Sequence, residues 1–414
     1  MPNIPRDLFP DSTLFLLRDG YAFVQQRRRR YQSDIFQTRI MLEKAICIGG
    51  AEAAKLFYNP ELFIRNGAVP WRIQKTLQGI GGVQGLDGDV HKQRKALFMS
   101  VMTPEAIGLL MQHLARQWQI AILRWLKKDR ITLFEEAQEI FCRAACAWAD
   151  VPMYEADASR AEDLGAMVDG FGGIGPRYWR ARRARLRSEE WICGLIKQVR
   201  RRPPTQQPTI LESFAWYREP NGRQLETRVA AVEVLNLLRP IAAIATYVTF
   251  AALALHSYPD CRRALLEKGD EYLEWFVQEV RRFYPFTPFV GARVRAPFEW
   301  KGYRFEPGTL VILDVYGTNH DPQLWEEPEV FRPERFRNWS GSAFDLIPQG
   351  GGDHFTGHRC AGEWITIAAM KQAVDTLVRT IAYEVPQQDL SFSLSRIPTR
   401  PRSGFVMSGV MAAN

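Results

Sequence analysis

Pro348-Gln-Gly-Gly-Gly-Asp-His-Phe-Thr-Gly-His-Arg-Cys360-Ala-Gly362-Glu363 is the most unusual segment of the chain. It packs four glycines, at 350, 351, 352 and 357, into ten residues. Such a backbone folds tightly and can lie close against a flat ligand. Cys360 closes the loop at the mouth of a helix predicted from Trp364 onward. Helix-start N–H groups and the adjacent Arg359 favour the thiolate, the form that binds metal. Two other readings compete: a glycine-rich turn with an incidental cysteine, and a zinc site. The zinc site would use His354, His358 and Cys360 in an H-x3-H-x-C pattern, with Asp353 or Glu363 as fourth ligand. Both histidines share one tight loop, however, and no second ligand cluster follows. Cys142 and Cys146 lie one helical turn apart, but Ala144, Ala145, Ala147 and Trp148 around them describe a core helix.

Downstream of the loop, Ile367, Met370, Val374, Leu377 and Ile381 alternate at spacings of three and four, which predicts a helix from Trp364 to about Val385. Upstream, Phe298 to Tyr316 alternates and turns at Lys301-Gly302 and Pro307-Gly308, a β signature. Phe331-Arg-Pro-Glu-Arg335-Phe336 precedes the loop, and Glu279-Val-Arg-Arg282 lies on a charged helix over 271–284. Residues three apart share a helix face, so Glu279 and Arg282 can pair. A long apolar helix is expected from about Glu226 to His256. Thr103-Pro104-Glu105 starts another, reaching about Leu126. Two strands at Ile35–Leu42 and Ala45–Ile48 precede a helix over 51–58. The class is mainly α with a smaller β region, and residues 1–414 read as one domain, Arg200 to Pro208 being a short surface connection.

Composition narrows the function classes. Apolar residues form 46% of the chain and charged residues 24%, enough for a large core and contrary to wholesale disorder. The first thirty residues lack the apolar run of a signal peptide. The apolar stretch Ile241–Leu255 is shorter than the roughly twenty residues a bilayer span needs. Six dispersed cysteines then read as free thiols in a reducing compartment, so a cytoplasmic protein without a transmembrane segment is expected. The formal charge of +8 concentrates in two clusters, Arg27–Arg30 and Arg177–Arg187, the second beside Tyr178 and Trp179. A solvated helix face, a surface for anionic fatty acids or acidic lipid, and a nucleic-acid surface are the available readings. No nucleic-acid partner is expected.

Taken in order, the Glu279-x-x-Arg282 helix, the Phe331–Phe336 segment, the Cys360 loop and the following helix resemble the cytochrome P-450 superfamily. The resemblance runs over essentially the whole chain. It implies an α+β cytochrome P-450 fold around a buried haem b, Cys360 as the axial iron ligand, and an ion-pair triad of Glu279, Arg282 and Arg335. Two departures mark a branch. Asp353, Thr356 and His358 stand where the usual signature has Phe, Gly and a basic residue, with Gly357 and Arg359 displaced by one. In the long helix Leu238-Arg239-Pro240 precedes Ile-Ala-Ala-Ile-Ala, with no acid–alcohol pair. Both departures resemble the bacterial fatty-acid peroxygenases, which use hydrogen peroxide and need no redox partner. That likeness implies a haem-facing Gln84, where alkene-forming decarboxylases carry His. It also implies propionate contacts from His91 with Lys95 or Arg94, and from Arg65, and an acyl channel lined by Leu77, Val168, Phe171, Phe286 and Phe289.

Physical chemistry gives Arg239 and Pro240 a purpose. Proline inside a helix removes one hydrogen bond and clashes with the carbonyl four residues back. A guanidinium among Val232, Val234, Leu235, Leu237, Leu238 and Ile241 is costly unless an anion pairs with it. Its planar fork suits a carboxylate. Heterolysis of peroxide is an acid–base task, and a substrate carboxylate held by Arg239 can perform it. With that carboxylate clamped, the nearest oxidisable carbon is α or β. The expected activity is therefore peroxide-dependent α- or β-hydroxylation of fatty acids. Oxidative decarboxylation to terminal alkenes is the alternative within the family, and zinc-dependent hydrolysis the alternative outside it.

Overall fold

The computed structural model describes residues 4–154 and 157–413. The chain opens on a helix and closes on a strand. Strands β1 (Ile35–Ile40) and β2 (Glu43–Gly49) pair antiparallel, with Ile35 opposite Ile48 and Ile40 opposite Glu43. Short strands β3 (Phe63–Ile64) and β4 (Arg130–Thr132) follow. The later strands are β5 (Phe289–Val294), β6 (Phe298–Trp300), β7 (Tyr303–Phe305), β8 (Leu310–Asp314), β9 (Ile381–Glu384) and β10 (Val406–Ala412). One sheet runs in the order β1-β2-β8-β5-β3, with only β2 and β8 parallel; a second runs β4-β10-β9. The hairpin β6-β7 turns at Lys301 and Gly302, both with positive φ, as the Lys-Gly pair predicts.

The N-terminal third carries α1 (Thr13–Asp19), α2 (Phe23–Tyr31), α3 (Ala51–Phe57), α4 (Trp71–Ile73), α5 (Gly88–Ser100) and α6 (Pro104–Trp125). The middle carries α7 (Leu133–Trp148), α8 (Ala158–Asp169), α9 (Pro176–Val199), α10 (Ile210–Trp216), α11 (Thr227–Ala243), α12 (Ala245–Ser257) and α13 (Pro259–Phe283). Two more, α14 (Val315–Asn319) and α15 (Glu363–Asp375), flank the Cys360 loop. The Thr103 hydroxyl accepts from the Ala106 N–H and caps α6, as its Thr-Pro-Glu start requires. Cys142 and Cys146 are fully buried on α7, in the helical core.

Three expectations shift. The helix after Cys360 ends at Thr380, because Ile381 begins β9 rather than a further turn. Ile381 is still buried, so helix and strand spend the same apolar residue on the same core. The long apolar helix breaks at Ile244 into α11 and α12, while Pro240 lies inside α11 as expected. Together, Thr227–Ser257 reach bilayer-spanning length, longer than the 241–255 stretch suggested, yet 89% of their most apolar window is buried within the protein. Finally, the helix expected over 271–284 is the part of α13 beyond Gly269, ending at Phe283. A further helical stretch from Pro259 precedes it, joined through a corner at Gly269 whose φ of 64° an L side chain would resist.

Candidate active site

The loop before α15 holds Cys360 from several directions. Its N–H donates to the Gln349 carbonyl at 3.0 Å, and the Gln349 side-chain amide approaches its Sγ at 3.8 Å. The same amide donates to Thr366 Oγ1 at 3.0 Å, while its carbonyl accepts from Arg281 Nη2 at 3.2 Å. Arg281 and Arg359 both grip Glu363, the second at 2.6 Å. Gly350, at φ 93°, lets the chain pass Tyr58: a Cβ there would lie 2.9 Å from the phenol oxygen. Cys360 is half-buried. Burial pushes the thiol pKa up, against the pull of Lys95, the Gly362 N–H and Gln349. The expected help from Arg359 is redirected, since that guanidinium serves Glu363 and Lys95 supplies the nearby charge. A buried thiol of this kind ionises when a metal replaces its proton.

The zinc arrangement does not form. The His354 ring stacks on Trp364 at 4.1 Å, and the His358 ring stacks on His91 at 3.8 Å. Among the described residues, no cluster of three or more His, Cys, Asp or Glu is placed to hold a metal ion.

A second group gathers positive charge. Arg65, His91 and Lys95 are buried, with His358 against them. Arg65 lies over the Phe57 ring at 4.2 Å and donates to the Gly291 carbonyl at 3.1 Å. Lys95 donates to the Arg359 carbonyl. Among the described residues, neither cation forms an ion pair within 4 Å, although Asp87 lies near Arg65 and takes its backbone N–H. Burial and Lys95 push the His91 pKa down to about 4, and burial with Arg65 lowers that of His358. Buried, unpaired cations call for anions. A thiol that gains its charge on metal binding, beside cations suited to two carboxylates, fits the expected haem. Arg94 does not join this group: it is buried between Glu233, at 2.7 Å, and Glu219.

The third group lies on α11. Arg239 is 7% exposed; among the described residues its Nε has no hydrogen-bond partner, and its Nη2 donates a 3.4 Å bond to Asn236 Oδ1. Burial and the like charge of Arg185 push its pKa down to about 9, while the Cys360 sulfur opposes that shift. Asn236 donates to Gln84 Oε1 at 3.2 Å and to Glu233 Oε2 at 3.1 Å. Gly82 makes room for this meeting, since a Cβ there would lie 2.8 Å from the Asn236 amide nitrogen. Pro240 has no N–H to offer the Asn236 carbonyl, which frees the helix locally. The sequence shows no acid beside Arg239. The fold does bring Glu233 within one residue of it, but that carboxylate is fully buried and already taken by Arg94 and Asn236.

Glu233, Asn236 and Arg185 are the functional neighbours that sequence reasoning missed. The signal was present for two of them: Glu233, Asn236 and Arg239 are spaced by three in an otherwise apolar run. The expected triad does assemble, with Arg282 bidentate on Glu279 at 2.7 and 2.8 Å and Arg335 Nε at 3.2 Å. Leu77, Val168, Phe171, Phe286 and Phe289 are each half-buried rather than in the closed core. Val168 lines a crevice with Ala242, Ala243 and Thr246, Phe286 stacks on Tyr247, and Phe289 packs toward the β-sheet end.

The family model described as Cytochrome P-450 matches residues 271–406. Among solved structures, wild-type cytochrome P-450EX alpha with myristic acid is 44% identical, with full coverage of both chains and a TM-score of 0.96. Cytochrome P-450SP alpha in complex with (R)-ibuprofen is 47% identical over 97% of this chain and 99% of that one, with a TM-score of 0.95. A variant of cytochrome P-450 OleT with arachidonic acid is 36% identical, covering 100% and 99%, with a TM-score of 0.96. Matches to curated relatives are shorter: the chain spans 26% of the length of the first and 48% of the second.

Proposed function

The chain belongs to the cytochrome P-450 family, and we propose that it is a peroxygenase hydroxylating fatty acids at the α or β carbon with hydrogen peroxide. Family membership implies haem iron with thiolate ligation. The further assignments are ours: haem b, Cys360 as the ligand, Arg65, His91 and Lys95 on the propionates, and no need for a redox partner. Bound haem would supply the redox centre at which peroxide is cleaved and one oxygen passes to the substrate.

The observation that carries this reading is Arg239, a buried guanidinium without an anionic partner among the described residues. A fatty acid carboxylate completes it through paired charge-assisted hydrogen bonds. Asn236, held in turn by Glu233, limits how far the guanidinium can swing. The clamped carboxylate can then take a proton from one peroxide oxygen and return it to the other. The balance is substrate plus peroxide giving alcohol plus water, with no external electrons. The half-buried Leu77, Val168, Phe171, Phe286 and Phe289 are suited to the acyl chain. The relatives solved with myristic acid, ibuprofen and arachidonic acid each hold a carboxylic acid, which supports the same substrate class. Gln84 has no proton to give at the pH of the reaction, which favours hydroxylation over decarboxylation. We further infer a cytoplasmic location, in keeping with the burial of the 227–257 helices.

The test is peroxide-driven turnover of a fatty acid by Arg239→Ala. A fall of roughly a hundredfold or more is expected, the scale of a lost acid–base function. Added short-chain acid should partly restore turnover of substrates that lack a carboxylate. Full activity in Arg239→Ala would remove the proposal.

A further inference from the structure

Six arginines and no acid lie between Pro176 and Arg187 on α9. They divide sharply by environment. Arg185 is buried against Glu189 and the Leu77 carbonyl, and Arg177 serves Asp169. Arg187 pairs with Asp163 while its side chain stays 55% exposed. Arg180 and Arg183 are exposed and, among the described residues, have neither a hydrogen bond nor an ion pair. Between them and Pro176 stands Trp179, 59% exposed, and Leu186 follows on the same outward face.

That face continues onto neighbouring segments. Ile174, just before α9, is 58% exposed, and Trp71 of α4 is 54% exposed. The Arg72 guanidinium lies over the Tyr178 ring at 4.7 Å, and Arg182 donates to the Lys75 carbonyl at 3.4 Å, which ties 71–78 to α9. Lys75 itself sits over the Trp71 ring. The result is one surface of exposed indoles and aliphatic side chains set among unpaired cations. The other arginine cluster is unlike it: Arg27 and Arg28 are buried and spent on Asp7, Asp19, Asp34 and Asp321.

We propose that the outward face of α9, with Ile174 and Trp71, docks the protein on an anionic lipid surface. Indole rings favour the boundary between headgroups and acyl chains, and guanidinium groups are drawn to acidic headgroups. Nucleic acid is the weaker match, because Ile174 and Leu186 gain nothing from a polyanion that offers stacking and phosphates alone. This inference stands on exposure and charge, independent of the reaction. One consequence does rest on the proposed function: Leu77 lies in the 71–78 segment tied to α9 and Phe171 in the turn that precedes it, so an acyl chain leaving a bilayer would have a short path to the proposed channel.

Co-sedimentation of the haem-loaded protein tests it, with vesicles of phosphatidylcholine alone and of phosphatidylcholine with phosphatidylglycerol. Binding is expected only to the anionic vesicles, and it should weaken as salt rises. Arg180→Glu combined with Arg183→Glu should lower the partition coefficient at least about tenfold. Arg201→Glu combined with Arg202→Glu, the same charge change beyond the far end of α9, should not. Trp179→Ser should lower it severalfold at unchanged salt dependence. The visible spectrum and turnover of dissolved fatty acid, unaltered in each variant, establish that they fold. Equal binding to neutral and anionic vesicles, or equal losses in both double variants, overturns the proposal. So does an oligonucleotide that binds through Arg180 and Arg183 while vesicles do not.

Discussion

Arg239 and Gln84 share a hydrogen-bonding neighbour, Asn236, so a change at Gln84 reaches the proposed substrate clamp through a single side chain. Gln84→His brings an imidazole that can donate a proton where the amide cannot. Product analysis of a saturated fatty acid should then show a larger terminal-alkene fraction than the parent enzyme gives. An unchanged ratio would mean that residue 84 does not set the outcome. A different kind of residue effect comes from His320, buried with Nδ1 3.0 Å from the Tyr316 carbonyl. Burial, with Arg282 nearby, pushes its pKa down to about 3. The unfolded chain binds this proton from about pH 6.5 downward, whereas the folded one refuses it. The contribution is therefore complete above 6.5 and lost as pH falls toward 3, at up to about 1.4 kcal/mol per pH unit. His320→Gln should show a shallower acid decline of its denaturation midpoint across that window. At this scale the sequence was most legible where chemistry was peculiar, as at Cys360 and Arg239. Arg94 illustrates the opposite. Nothing near it in the sequence announces that Glu219 and Glu233, more than a hundred residues away, will claim its charge.

The elements were easier to see than their limits. A cap such as Thr103 and an apolar rhythm such as 367–377 are local, and both survive in the structure. The exchange of helix for strand at Ile381 is not local: it depends on β10 arriving from 406–412 to pair with 381–384. The stretch of α13 before its corner was equally hidden, since Gly269 reads as a boundary between elements and not as a joint within one. Beyond that corner α13 presents Glu279 to two guanidinium groups, and all three are nearly sealed from water. Glu279 Oε1 also accepts the backbone N–H of Arg332 at 2.8 Å, so one carboxylate ties the helix to the 331–336 segment. Glu279→Ala would leave both cations uncompensated, and a loss of roughly 3–5 kcal/mol in unfolding free energy is expected. Denaturant titration measures it, and a loss within 0.5 kcal/mol would show that the pairs contribute little.

Across the whole molecule, fold class followed from the order of motifs, because order is what a sequence displays directly. Which distant parts meet is what it withholds: Arg28 near the start reaches Asp321, and β4 at 130–132 pairs with β10. The assembled site makes one demand that a single spectrum can check. Cys360→Ser should bind haem without the strongly red-shifted Soret band that a thiolate ligand gives the reduced carbon monoxide adduct. Retention of that band would send the axial role elsewhere. If Arg239 holds the carboxylate as we propose, its position, finally, sets where distance along the substrate is counted from. A pocket that senses a methyl end reads each chain length differently and scatters its products over many positions. A fixed cation under the carboxyl group is instead the zero mark of a ruler. Every acid in a mixed pool, short or long, is measured from the same end and should be marked at the same first or second division.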